Sequence, residues 1–139
     1  MTTTRPDWDE IWMSVAQTVA RRSYDPRHQV GAIVVTVDNT QVLSVGYNGN
    51  YSGGPNEVES TTPGQSGMIH AEINALIKLD YNNPKRKKMY VTLSPCRACA
   101  KAIVNGGIDE VIYAEEYRDV SSLDIFRDAS IEFRKYNRD

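Results

Sequence analysis

Residues 70–107 read HAEINALIKLDYNNPKRKKMYVTLSPCRACAKAIVNGG, and the order of patterns within them decides the fold class. Residues 71–79 put Ile73, Leu76, Ile77 and Leu79 at helical spacing. Residues 88–93, Lys-Met-Tyr-Val-Thr-Leu, carry the β-branched and aromatic side chains of a strand. Ser94-Pro95 opens a second helix over 96–105, since proline suits a helix start, and Gly106-Gly107 stops it. Residues 110–113, Glu-Val-Ile-Tyr, read as the next strand. Strands alternating with helices in this way predict a parallel sheet with right-handed crossovers.

Outward from this stretch the pattern continues. Trp8, Ile11, Trp12, Val15 and Val19 recur at helical spacing, so residues 7–23 read as an amphipathic helix. Tyr24-Asp25-Pro26 ends it, because a residue before proline is pushed out of the helical region. Residues 31–37 and 41–47 are apolar, β-branched runs flanking the turn signal Asp38-Asn39, and predict a hairpin. Residues 121–129 read as a helix and 131–136 as a short last strand. The expectation is one domain over 1–139, of α/β class. Its fold is three-layer α-β-α, with a five-stranded mixed sheet and helices on both faces. Residues 48–68 hold five glycines and two prolines without periodicity. A loop that long inside a compact domain reads as a lid or binding loop.

Composition narrows the class. The chain has 139 residues, 40% apolar and 24% charged, enough to bury a core without disulfides. No apolar run approaches the roughly 20 residues of a membrane span, and Met1 to Glu10 lack a secretory layout. A cytoplasmic location is expected, that of the host if the gene is viral. A net charge of -2 gives no global attraction to nucleic acid. The two cysteines stand as C-x-x-C, which in such a chain points to metal or redox chemistry.

His70 begins one helix, and Cys96 and Cys99 stand in the first turn of the next. Residues three apart share a helix face, so both sulfurs can address one metal. Helix N-termini favour thiolates. A structural zinc wants a fourth protein ligand, but no third cysteine exists and the only other histidine is His28. The scarcity argues for a catalytic zinc with an open position, where water has a pKa near 7. Glu72, two residues after His70, is placed to move protons. A thioredoxin-like redox pair and a non-catalytic zinc-stabilised fold are the competing readings. The combination His70-Ala71-Glu72 with Pro95-Cys96-Arg97-Ala98-Cys99 is the H-x-E, P-C-x-x-C signature of zinc-dependent nucleobase deaminases.

Beyond the signature, five segments resemble the deoxycytidylate deaminases of the cytidine deaminase superfamily. They are Arg22-Ser23-Tyr24-Asp25-Pro26, Gln29-Val30-Gly31-Ala32, Gly46-Tyr47-Asn48-Gly49, His70 to Ala75 and Pro95 to Lys101. The stretch from Glu116-Tyr117-Arg118-Asp119 to Lys135 is similar as well. The resemblance covers roughly residues 10–136. It implies hydrolysis of dCMP to dUMP, the precursor of thymidylate, by attack of activated water at C4 of cytosine. Glu72 would protonate N3 and then the leaving ammonia. The backbone at Ala71 would face the pyrimidine carbonyl, and Asn48 the sugar hydroxyl. Arg22 and Ser23 would meet the 5′-phosphate, with Tyr117 a further pocket residue.

The resemblance also implies a homo-hexamer activated by dCTP and inhibited by dTTP, with Mg2+ accompanying the effector triphosphate. Tyr47, Asn48, Gly49, Tyr51 and Gly53 are the candidate effector residues. Some relatives carry a second, structural zinc; this chain has no spare ligands, so one Zn2+ per subunit is expected. Three other readings stay open: another cytosine compound as substrate, a nucleic-acid base as substrate, or a non-catalytic zinc or nucleotide-binding module. The net charge counts against a polymer substrate, and Glu72 against the module. Among the remaining features, Lys85-Arg86-Lys87-Lys88 reads as a solvated turn and His28 as a surface residue. Trp8 and Trp12 read as core or interface anchors.

Overall fold

Successive residues of a strand face opposite sides of the sheet, so a strand buried on both sides feeds two cores. In the computed structural model, which describes residues 4–117 and 119–137, three strands do this: β1 (Gly31–Thr36), β3 (Lys87–Leu93) and β4 (Glu110–Glu115). Ala32, Val34, Met89, Val91, Val111 and Tyr113 enter one core, and Ile33, Val35, Tyr90 and Ile112 the other. The first core is closed by α2 (Ala71–Ile77), α3 (Arg97–Asn105) and α4 (Ser122–Asp128) through Ala75, Leu76, Ala100, Ile103, Leu123 and Phe126. The second is closed by α1 (Trp8–Ala20) through Met13 and Ala16. The expected three layers are therefore present, with one helix on one face and three on the other.

Two further strands, β2 (Val42–Tyr47) and β5 (Glu132–Lys135), complete a five-stranded sheet in the order β2-β1-β3-β4-β5. β1 pairs antiparallel with both β2 and β3, while β3, β4 and β5 run parallel, as their connecting helices require. The β1–β2 turn is fixed by Asp38, whose carboxylate accepts from the Thr36 hydroxyl at 2.6 Å, the Thr40 hydroxyl at 2.7 Å and the Thr40 amide at 3.1 Å. Asn39 takes the left-handed conformation that such a turn needs, with φ 66°.

Two details differ from the sequence reading. The first helix ends at Ala20 rather than 23, where Ser23 is drawn under the chain and buried. The basic run is a solvated turn only in its first half: Lys85 and Arg86 are exposed ahead of the strand, while Lys87 and Lys88 lie within β3 and are buried. Lys87 Nζ donates to the carbonyls of Asn83 and Lys85, and Lys88 lies over the Tyr90 ring. Trp8 and Trp12 stack at 5.2 Å; Trp12 packs against the second core, as a core anchor would, while Trp8 is 45% exposed. No helix among the described residues is long and apolar enough to cross a membrane.

Candidate active site

His70 is the N-cap of α2, with an extended backbone (φ -67°, ψ 153°) and no side-chain capping bond, which leaves its ring free. Cys96 is the N-cap of α3, with a similarly extended backbone, but here the sulfur does cap, accepting from the Cys99 amide at 3.5 Å. Both helix starts lie beside strand ends, His70 after the Gly49–Ile69 bridge that follows β2 and Cys96 after β3. The two open onto one cleft, as helix starts do at the carboxyl edge of an α/β sheet. His70 Nδ1 lies 3.1 Å from Cys99 Sγ and 3.6 Å from Cys96 Sγ. Among the described residues, these three form the one His/Cys/Asp/Glu cluster able to hold a metal ion, all ligand atoms lying within 4.8 Å of one another. Zn–S near 2.3 Å and Zn–N near 2.0 Å in a tetrahedron put ligand atoms about 3.5 Å apart, so the donor set fits zinc.

The electrostatics suit a metal as well. The Cys96 thiol is pulled down to about 3 by hydrogen bonds from Cys99 and His70, which outweigh its burial. The Cys99 thiol is pushed up, first by its hydrogen bond to Cys96 and then by burial. The pair thus holds one proton, which a metal displaces on binding. His70 is raised by its hydrogen bond to Cys96, against desolvation. Glu72, on the first turn of α2, is 4% exposed. Burial lifts its carboxyl to about 7, despite the opposing pull of its own backbone amide and of His70. A carboxyl poised there can take and return a proton at neutral pH.

A cavity of about 310 Å³ opens over these groups. His70, Ala71, Glu72, Cys96, Asn48 and Tyr117 all line it, so the structure brings most of the expected residues together. Ala71 is fully buried beneath it. The Asn48 amide is committed at both ends, accepting from Val30 N–H at 2.9 Å and donating to the His28 carbonyl at 2.8 Å. The Tyr117 amide donates to Ser94 Oγ at 2.7 Å. Arg118, beside it, lies outside the described residues.

Arg22 and Ser23 do not line this cavity. Ser23 Oγ accepts from the Asp25 amide, and its carbonyl accepts from Gln29. Arg22 instead borders a second depression, with Tyr24, Tyr47, Gly49, Tyr51 and Gly53. The effector candidates therefore gather there, apart from Asn48, which faces the first cavity. The sequence reading missed Arg27, Ser94, Met68 and the loop residues Val58 and Ser60 to Gly64 as cavity walls. The long unpatterned loop signalled some such role, but not which side chains turn inward.

The region 6–115 matches the family model described as the cytidine and deoxycytidylate deaminase zinc-binding region. Deoxycytidylate deaminase of Homo sapiens is 35% identical over 146 residues, covering 94% of this chain and 80% of that protein. Deoxycytidylate deaminase of Mycobacterium phage D29 is 36% identical, covering 81% of this chain and 98% of its own. The crystal structure of dCMP deaminase from the cyanophage S-TIM5 in complex with dCMP and dUMP is similar at a TM-score of 0.80 and 34% identity, covering 96% of this chain and 100% of that one.

Proposed function

The chain belongs to the cytidine and deoxycytidylate deaminase zinc-binding family, and from that membership we propose that it hydrolyses dCMP to dUMP and ammonia, supplying the precursor of dTMP. The observation that carries this reading is Glu72, buried within a nucleotide-sized cavity beside three converging zinc donors. His70, Cys96 and Cys99 would hold the zinc, which when bound would supply a Lewis acid that makes water nucleophilic at neutral pH. Glu72 takes one proton from the water that attacks C4 and delivers it to N3, then takes the second from the new C4 hydroxyl and delivers it to the amine as the C4–N bond breaks. Its burial keeps that proton from exchanging with solvent during the cycle. The Ala71 backbone meets the pyrimidine carbonyl, while Asn48, held by Val30 and His28, faces the sugar. Tyr117 closes the remaining wall.

The same reading extends to dCTP as activator and dTTP as inhibitor, with Mg2+ accompanying the triphosphate. It extends also to a one-domain subunit, a homo-hexamer and a cytoplasmic enzyme. The depression lined by Tyr47, Gly49, Tyr51 and Gly53 supports an effector nucleotide, since tyrosine rings can stack a base and exposed glycine amides can approach phosphate. The test is an assay of the pure protein with dCMP, CMP, cytidine and deoxycytidine, with and without dCTP and dTTP. Turnover highest on dCMP is the expected result. No turnover of dCMP under any condition rejects the reading.

A further inference from the structure

The end of β2 and the start of α2 both meet the site. The β1–β2 ladder closes on the pair Gly31–Tyr47, and the next residue, Asn48, lines the cavity. α2 begins at Ala71 after its N-cap His70, which Ile69 precedes. The Asn74 side chain stands between these two points. Its Nδ2 donates to the Tyr47 carbonyl at 2.8 Å and to the Ile69 carbonyl at 3.3 Å. Gly49 and Ile69 exchange backbone hydrogen bonds of 3.0 and 2.8 Å beside it. The helix comes this close because Gly46 has no side chain: a Cβ there would stand 3.1 Å from the Asn74 carbonyl carbon. Farther along, Ser44 Oγ donates to the Ala75 carbonyl at 2.7 Å and Lys78 Nζ to the Val45 carbonyl at 2.7 Å, so α2 is tied to β2 there as well. Asn74 differs from both in what it joins. It grips the peptide that leads into Asn48 and the peptide that leads into His70.

We propose that Asn74 is a positioning residue: its carboxamide clamps the Tyr47–Asn48 peptide to the Ile69–His70 peptide, and so fixes the metal site against the sugar-facing wall. On the sugar side the inference rests on the reading that a cytosine nucleotide fills this cavity; on the metal side it does not. Asn74 does not line the cavity, so it acts through its neighbours. The His70 side chain makes no capping bond, so the orientation of its backbone sets where Nδ1 meets Cys96 and Cys99. An amide nitrogen carries two N–H donors without a charge, and here each carbonyl takes one. Leucine has the shape of asparagine but no donor. Aspartate has the shape but would turn an oxygen toward two carbonyl oxygens. Losing the clamp leaves the layers standing, because the apolar anchors Ala75 and Leu76 hold α2 beyond it.

The test compares wild type with Asn74→Leu, Asn74→Asp, Asn74→Gln and, as a control for helix packing, Ser44→Ala. Zinc is withdrawn from each loaded protein by a chelator of known affinity, visible spectra are recorded with Co2+ in place of zinc, and melting temperatures are measured in parallel. Asn74→Leu and Asn74→Asp should bind zinc ~10–100-fold more weakly and shift the Co2+ bands. With zinc saturating, their kcat/KM on dCMP should fall ~10–100-fold as well. Asn74→Gln, which keeps the donors on a longer arm, should recover part of both losses. Ser44→Ala removes a bond between the same helix and strand, so it should lower the melting temperature yet keep wild-type zinc affinity, Co2+ bands and turnover. Wild-type zinc affinity in Asn74→Leu and Asn74→Asp, an equal loss of zinc in Ser44→Ala, or no recovery in Asn74→Gln would overturn the clamp. Should the first two variants fail to fold, Asn74→Gln decides: zinc held more weakly than in Ser44→Ala supports the clamp, and equal affinity overturns it. If zinc affinity depends on Asn74 while wild type turns over no dCMP, the clamp on His70 stands and the deaminase reading falls.

Discussion

Glu72 concentrates the chemistry of the site in a single carboxyl. It lies outside the converging ligand atoms of His70, Cys96 and Cys99, yet is almost wholly shut off from bulk water. Glu72→Gln keeps the shape and removes the titrating oxygen. Metal analysis should find zinc retained at wild-type stoichiometry, while turnover drops ~10²–10⁴-fold. Loss of zinc in that variant would make Glu72 a ligand and undo its role as proton carrier. At this scale the metal ligands were legible because their chemistry is tied to residue type: only two cysteines and two histidines exist to choose from. Which arginine of the segment before β1 lines the cavity was not legible. Arg22 and Arg27 are five positions apart on a non-periodic segment, and which of them turns toward the cavity depends on the Asp25 turn and on contacts with a distant loop.

Between elements, the position of α2 decides where His70 and Glu72 stand. Gly46 of β2 lies under this helix: a Cβ there would come within 2.5 Å of the Ala71 carbonyl oxygen and 2.6 Å of the Ala75 amide nitrogen. Backbone cannot yield as a flexible side chain would, so Gly46→Ala should push α2 off the sheet. A loss of about 1–3 kcal/mol in urea unfolding is expected, with weaker zinc retention and lower activity. Wild-type stability together with full zinc content would show that the helix has room to shift. The β1–β2 turn gives a pH signature. Asp38 is held down at about 2, first by the Thr36 hydroxyl and then by the Thr40 hydroxyl and amide. A lowered carboxyl stabilises the fold above its ordinary value of 3.8 and loses that contribution as pH falls toward about 2. The difference in melting temperature between wild type and Asp38→Ala should therefore be constant from pH 7 to about 5 and shrink between about 4 and 2. A gap unchanged down to pH 2 would show that the turn does not depend on the ionised carboxylate. Element identity was legible throughout, because β-branched runs and helical spacing survive folding. Helix ends were less so: Ser23 extends the apparent first helix, but its place in the fold is set by hydrogen bonds to Asp25 and Gln29.

Across the whole molecule, the question is whether the zinc holds the fold together or only equips it. The sheet carries a core on each face, and neither cluster includes His70, Cys96 or Cys99. The ligands stand at the first residues of α2 and α3, while Ala75, Leu76, Ala100 and Ile103 anchor those helices farther along. That division follows from what the sequence displays: periodic apolar residues build the sheet and helices, while the site chemistry sits at helix starts. It also explains why the loop over 48–68, with few apolar anchors, could be read as functional but not placed. Removing the metal should then unlink the starts of α2 and α3 without dismantling the layers. A ligand bound only to the native state at a thousandfold excess over its Kd contributes about 4 kcal/mol. For a chain of this size that corresponds to a fall in melting temperature of about 14 °C on chelation. The chelated protein should keep its far-UV circular dichroism and a cooperative transition, and readdition of Zn2+ should restore both melting temperature and activity. Collapse of the far-UV signal on chelation would mean that the Cys96–Cys99 turn, with its zinc, is part of what makes the sheet and helices close.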